Sequence, residues 1–422
     1  MSEAAKLSPP SLSPHRASSA LAPLREPLFR SLWIAAVISY TGTWMQNVGA
    51  GWLMTQLTMS PLMVSLVTAA TTLPVFLVIL PAGALADLVD RRRFLLITQS
   101  WMVVAAALLG ILTLEHFVTP WMILVFTFIL GLGAVMNDPA WQAITPEVVL
   151  PENHAPAVAL NSVGFNVARA IGPALGGLVI AAAGSGVAFL LNAVSFFGVI
   201  FFLYRWKRPH VEQVATGRIR DAMLTGLRYV RRAPLVRSIL IRTGAFSLAA
   251  SSLPALLPLL ARPHGATGYG LLLGFFGCGA LAGAAVLPRI RTRASVDGVV
   301  AFDIVLFAAM TFAAGRVHAF SWLCLVLFAS GTAWIGILAC LNVAAQTMCP
   351  SFLRARALSV YLLVLQGGMA LGSTAWGALA NSIGVPATLL WSAIALGGGL
   401  FIVRRHRLTS DQLELTPSVV RD

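Results

Sequence analysis

The chain has 422 residues, of which 58% are hydrophobic and only 10% charged, with a mean hydropathy of +0.83. A soluble domain carries roughly 25% charged residues, so a surface this apolar cannot be kept in water and a soluble globular enzyme is excluded. The formal charge of +14 would suit a nucleic-acid binder, but the placement of the basic residues excludes that as well.

The first 27 residues are rich in Ser, Pro and Ala and hold no apolar core segment, so a disordered cytoplasmic tail is expected there rather than a cleaved signal peptide. Apolar stretches follow that are long enough to cross a bilayer core about 30 Å thick, which takes roughly 20 helical residues. They begin at Leu32, Leu62, Phe94, Trp121, Ala157, Val187, Ser238, Gly268, Val299, Phe320, Ala355 and Ala387. They are too long and unbroken for the alternating strands of a membrane barrel. In hydrocarbon every backbone N–H and C=O must pair internally, which leaves helices. The expected fold is an all-α membrane protein of about twelve transmembrane helices in two six-helix bundles. All but four of the 29 Lys and Arg (Arg169, Arg242, Arg262 and Arg316) fall in one set of loops and tails. By the positive-inside rule both termini are then cytoplasmic. The basic loops meet anionic lipid headgroups, not nucleic acid.

The first span carries Tyr40, Trp44, Gln46 and Asn47, whose rings and amides suit an amphipathic, partly aromatic substrate. After the second span comes Gly83-x-x-x-Asp87-x-x-Asp90-Arg91-Arg92. A glycine lets helices approach closely, and an acid can cap a helix N-terminus across the two halves. This loop reads as a conformational latch that holds the cytoplasmic side closed. Asp138 stands near the cytoplasmic end of the fourth span. The fifth span reads Asn166-x-x-Arg169, then Gly172-Pro173-x-x-Gly176-Gly177, in which small residues allow tight crossing and the proline bends the helix. Arg169 lies about 12 residues into its span, where an unpaired charge costs several kcal/mol. It must face either a water-filled cavity or a carboxylate. Two readings stay open: a site for an anionic group or a titrating acid, and a structural pair, for instance with Asp138, locking helices four and five.

A polar segment, 207–236, separates the bundles 28–206 and 237–405, and a second tail covers 406–422. In it Ile219, Met223, Leu227 and Val230 follow helical spacing among Arg218, Arg220, Arg228 and Arg231. This is a basic amphipathic helix at the membrane surface or a plain linker helix. Asp303, a few residues inside the ninth span, joins Asp138 as a proton-coupling candidate. Coupling needs a carboxylate whose surroundings change as access alternates. The plainer alternative is a capping or paired acid at a span end.

The halves repeat one another. Gly83 to Asp87 precedes Gly283 to Leu287 by 200 residues, Gln142-x-x-x-Pro146 precedes Gln346-x-x-x-Pro350 by 204, and Gly172 and Gly177 match Gly372 and Gly377. Such repeats mark transporters that rock one bundle against the other around a central site. Cys278, Cys324, Cys340 and Cys349 show no paired or metal-type spacing and read as small buried apolar residues, so neither metal nor cofactor is expected. No phosphate loop, zinc-protease or nucleophile-elbow motif is present, which argues against an enzyme and against ATP as the direct energy source.

The loop from Gly83 to Arg92 resembles the signature loop of the major facilitator superfamily, departing from it at Leu88 and Asp90. Gly172-Pro173-x-x-Gly176-Gly177 resembles the motif of its exporters, with Ala159 and Ala168 where glycine is frequent. Gly42-Thr43-Trp44-Met45-Gln46, Pro74, Pro81, Pro139-Ala140-Trp141-Gln142-Ala143 and Ala159-Leu160-Asn161-Ser162 are similar to the bacterial exporter branch that includes the enterobactin exporter. The resemblance implies a monomeric secondary transporter of the bacterial inner membrane. It would export a small amphipathic molecule, siderophore-like or an aromatic metabolite, by alternating access with proton antiport. A broad multidrug pump, an uptake permease and a transport-inactive sensor or scaffold are the alternatives.

Overall fold

The computed structural model describes residues 20–88, 90–206, 233–347 and 354–405, and the side chains of 79–88, 354–356 and 404 lie outside that description. The expected C-terminal tail, most of the N-terminal one, the amphipathic segment from Arg218 to Arg231, Cys349 and Pro350 are likewise outside the described residues. The described chain is helical, with no strand. Its elements are α1 (Pro27–Leu57), α2 (Pro61–Leu88), α3 (Arg91–Leu114) and α4 (Pro120–Ile144), followed by a helical run from His154 to Arg205. That run breaks at Gly184, whose φ of +83° only glycine adopts without steric cost, giving α5 (154–183) and α6 (185–205). After the polar segment come α7 (Pro234–Ala250), α8 (Ser252–Leu260), α9 (Gly265–Arg291), α10 (Val296–Ala314), α11 (Phe320–Thr347), α12 (Arg354–Ile383) and α13 (Val385–Arg405).

Local chemistry sets these boundaries. Pro27 and Pro120 sit in the first turns of α1 and α4, where their missing N–H removes no hydrogen bond. The side chains of Asp90, Thr119 and Ser295 cap α3, α4 and α10. Each expected span starts within the first turn or two of an observed helix, because apolar windows omit the polar first turn. The seventh span differs: it is divided at Ser251 into α7 and α8. Among the described residues nine helical segments are long and apolar enough to cross a membrane, and two of them, Pro151–Arg205 and Pro234–Arg291, are 55 and 58 residues long and hold two expected spans each. Cys324 and Cys340 are buried as expected, but Cys278 on α9 is exposed.

The duplication is visible in the helix register. α1 to α6 begin at 27, 61, 91, 120, 154 and 185, and α7 and α9 to α13 begin at 234, 265, 296, 320, 354 and 385, separations of 200 to 207 residues. The break at Gly184 recurs at Gly384, with φ +82°. At Gly184 the chain doubles back beside α1. Gly164, Gly172 and Gly176 meet α1 at Trp33, Thr41 and Met45 in ascending order, whereas Phe189 and Asn192 of α6 meet it at Gly49 and Gly42 in reverse.

Packing in lipid gains little from hydrophobic burial and depends on close van der Waals approach, which small residues allow. α5 uses two glycine faces. A Cβ built on Gly176 would stand 2.8 Å from Met45 Cα, on α1 of the same half. One built on Gly177 would stand 2.7 Å from the Ala266 carbonyl oxygen and 2.9 Å from Gly270 Cα, both on α9 of the other half. Gly270 in turn abuts the Pro173 carbonyl. The copy in α12 repeats the plan: Gly372 packs on Leu248 and Ser251, and Gly377 packs on Ser65 of α2, with Leu62 Cα 3.2 Å from its built Cβ. The two halves therefore touch through two pseudo-symmetric helix pairs, α5 with α9 and α12 with α2.

A side chain at either crossing must push the halves apart, at a cost of about 1–3 kcal/mol for an overpacked contact. Gly177→Val and Gly377→Val are each expected to lower the apparent unfolding temperature of the detergent-purified protein, followed by tryptophan fluorescence. Gly398→Ala, whose built Cβ meets nothing within 4 Å, is expected to leave it unchanged. Equal losses in all three variants would contradict the crossing geometry.

Candidate functional site

At 100° per residue the faces of α5 separate cleanly. Gly164, Gly172 and Gly176 turn to α1; Ala170, Ala174 and Gly177 turn to α9. Val167, Ile171 and Leu178 are exposed on the outer, lipid-facing arc. The remaining arc, between the α1 and α9 faces and so toward the interior, carries Asn166 and Arg169, and Phe165 stands beside it on the α1 face. On α1, Tyr40, Trp44 and Asn47 recur at i, i+4 and i+7 on one face and none is fully buried.

These two faces meet as an aromatic cluster. Phe165 is edge-on to Tyr40, with centroids 5.4 Å apart at 83°, and to Trp44, at 6.5 Å and 62°. The Arg169 guanidinium lies over the Trp44 ring, 5.9 Å from its centroid. Arg169 is half-buried, and no hydrogen bond or carboxylate partner engages it among the described residues. Asp138 on α4 is exposed and within electrostatic reach of the Tyr40 phenol. The structural pair of Arg169 with Asp138 is thus not formed. Asn166 donates to the Ser162 carbonyl at 2.8 Å, a bond within its own helix. The same α1 face ends at Gly51, whose built Cβ would stand 2.8 Å from Tyr269 Oη of α9. Tyr269 is buried, so this face of α1 ends against α9.

Gln46 belongs elsewhere. It is buried and accepts a hydrogen bond from Asn192 Nδ2 of α6, beside Ser195, which donates to the Asn192 carbonyl at 2.7 Å. Its reading as cavity lining is corrected: two residues past Trp44, it points 200° away and holds α1 to α6.

Of the expected latch, Gly83 and Asp87 lie in the last turns of α2, with side chains outside the described residues. Asp90 accepts from the Arg93 N–H at 2.9 Å and so caps its own helix, α3. Arg91 donates to the Ala143 carbonyl at 3.3 Å and pairs with Glu147 at 2.9 Å. Arg92 donates to the carbonyls of Leu203 and Tyr204 at 2.8 and 2.6 Å, satisfying the exposed C-terminus of α6. These described contacts all tie α3 to neighbours in its own half. Asp303 on α10 is buried with its carboxylate against Gly336 of α11, and no hydrogen bond reaches it among the described residues. Close by, Arg242 and Asp297 form an ion pair at 2.6 Å that joins α7 to α10.

Two contributors went unseen in the sequence. Phe165 is legible in retrospect, four residues before Arg169 and so above it on one helix face. Arg262 has a role at the far end: its Nη2 donates to the Thr55 carbonyl at 2.7 Å, in the last turn of α1 and across the two halves. Ser60 and Asn381 make a second cross-half hydrogen bond at the same end, 3.1 Å long.

The comparisons agree with this architecture. Residues 18–420 match the family described as transmembrane secretion effector. Over 389 residues the chain is 29% identical to the multidrug efflux pump Tap of Mycolicibacterium fortuitum, spanning 87% of this chain and 92% of that one. It is 25% identical over 385 residues to the enterobactin exporter EntS of Salmonella choleraesuis, spanning 89% and 90%. A shorter match, 27% over 164 residues, covers 39% of this chain and 41% of the Staphyloferrin A transporter of Staphylococcus aureus. Among solved structures, a mutant of the nucleoside transporter NupG aligns with a TM-score of 0.74 at 12% identity, over 90% of this chain and 99% of that one. A bacterial Spinster homologue, inward-facing and unoccupied, aligns with 0.70 at 13% identity, over 92% and 99%. At those identities the likeness is one of fold. With the family match running over nearly the whole chain and both halves built on the same glycine crossings, the protein belongs to the transmembrane secretion effector family of major facilitator transporters.

Proposed function

We propose that the chain exports a small amphipathic molecule from the cytoplasm of a bacterial cell by alternating access, in antiport with protons. The proposal includes twelve membrane crossings, α7 and α8 together making the seventh, in the bundles 28–206 and 237–405 joined by 207–236. It also takes the protein to act as a monomer with both termini cytoplasmic.

One observation carries this reading. Both cross-half hydrogen bonds of side chains among the described residues, Arg262 with Thr55 and Ser60 with Asn381, lie at one end of the molecule. The opposite end carries Arg91 to Arg93 and Arg289, Arg291 and Arg293, which the positive-inside rule makes cytoplasmic and places near anionic headgroups. We take the bonded end as the closed, periplasmic one, with Tyr40, Trp44, Phe165 and Arg169 facing the substrate path. Asp303, buried beside a glycine without a hydrogen bond, is the favoured proton carrier, with Asp138 the second. Gly83 and Asp87 are assigned the cytoplasmic latch of the opposite state. The relatives include siderophore exporters and a multidrug pump, so a broad drug-efflux profile is the second reading.

Locking the closed end tests the mechanism. Ser60→Cys with Asn381→Cys is expected to form a disulfide in the resting protein and to stop export of a fluorescent dye from whole cells, with recovery on reduction. Arg262→Ala removes the charged donor of the two cross-half bonds. It is expected to raise labelling of Ser60→Cys by a membrane-impermeant maleimide added from outside. Unchanged export by the oxidised double variant would rule out closure at this end as part of the cycle.

The proton role is tested separately. Asp303→Asn is expected to abolish substrate-induced proton flux in inverted membrane vesicles while insertion and expression persist. Wild-type flux in that variant would remove Asp303 from the coupling path.

A further inference from the structure

Resting on the transport reading above, we infer that the chamber between α1, α4 and α5 takes a planar aromatic anion. Arg169 holds the charged group, and Trp44, Phe165 and Tyr40 form the wall for the ring. A guanidinium has five N–H donors in a planar fork that matches a carboxylate with two parallel hydrogen bonds. Here the fork is half-buried in a membrane-spanning helix, and the contact it makes is with the face of Trp44. A cation placed there against an aromatic face, facing the interior, is positioned to receive an acceptor from a bound molecule. A substrate without an acceptor would strip the water from these donors without replacing it, and an anionic acceptor gives the stronger, charge-assisted bonds.

The ring wall is on the same side of the chamber. Phe165 is 40% exposed and makes edge contacts with both Tyr40 and Trp44, which leaves aromatic surface free beside the guanidinium. Aromatic rings pair by offset or edge-to-face contact, with geometric demands that an aliphatic group does not meet. Among the described residues the acid within electrostatic reach of this cluster is Asp138, which stands on α4 by Tyr40 and makes no ion pair with Arg169. The chamber is therefore polarised, with positive charge and most of the aromatic surface on α5 and α1, and negative charge on α4. An aryl anion satisfies both demands of the first wall at once. An aryl cation would have to sit at Asp138, where Tyr40 is the ring within reach.

The sign of the two charges supplies the test. Calorimetric titration of the purified full-length protein would use 2-naphthoate, its saturated analogue decahydro-2-naphthoate, and (2-naphthyl)trimethylammonium. 2-Naphthoate is expected to bind, and decahydro-2-naphthoate to bind about tenfold more weakly because it lacks the ring faces. Arg169→Gln is expected to weaken naphthoate by about tenfold or more, with partial recovery in Arg169→Lys, which keeps the charge but not the fork. Asp138→Asn is expected to tighten it several-fold by removing a like charge, a gain that misfolding cannot mimic. Preferential binding of the ammonium compound, lost in Asp138→Asn, would overturn the assignment, and so would naphthoate binding indifferent to Arg169→Gln. A protein that exports dye from cells yet binds no naphthoate would also overturn it while leaving export intact. Absence of every flux would instead overturn the transport reading itself.

Discussion

The contact between the backbones of α5 and α9, where Gly177 lies against Gly270 and Ala266, sets the conditions for the rest of the molecule. In water, two bundles can be held together by the burial of apolar side chains. In lipid that force is largely absent, because a leucine side chain is as well solvated by acyl chains as by another helix. What remains is dispersion between surfaces that fit, and it falls away with a gap of less than an ångström. Glycine on both partners gives the closest fit that two helices can make. Since α12 and α2 repeat the contact through Gly377, the halves meet along two matched seams.

Those seams determine where the chemistry can be. α5 has one face committed to α1, one to α9 and one to lipid, so the arc left between α1 and α9 is the place where polar side chains can stand at that depth. Arg169 and Asn166 occupy it, with Phe165 beside them on the α1 face. The charge is tolerable there because the arc faces an interior space and an aromatic surface instead of acyl chains. The same helix thus bears the cross-half contact and the proposed ligand contact. A rotation of one half about the seam moves the chamber wall with it.

Much of this was legible in the sequence and some was not, for identifiable reasons. The crossings were readable because lipid imposes a simple rule on length and polarity, and Leu62, Trp121 and Phe320 fall within a residue of their helix starts. The glycine pairs at 172 and 177, 372 and 377 were readable as repeats, but their partners were not, since a lone sequence does not say which helix a glycine faces. Gln46 shows the limit. It shares a polar character with Asn47 yet lies on the α6 side of α1, a distinction set by rotation of 100° per residue and by the presence of Asn192. The break between α7 and α8 left no composition signal beyond Pro254 and Pro258. Arg262 was visible as one of the few basic residues on the sparsely charged side, where its carbonyl partner on α1 could not be read.

The turns at Gly184 and Gly384 have a wider consequence. Each joins two membrane-length helices through a single residue, and the other connections at the closed end run only from Thr58 to Ser60, Glu115 to Thr119, Ala261 to His264 and Gly315 to Ala319. That face of the molecule is almost bare of loops. An antibody, a phage or a soluble carrier protein approaching from that side would find helix tips and little else. Binders raised against the closed face will therefore read the conformation of the helix ends, and will report which way the transporter is open.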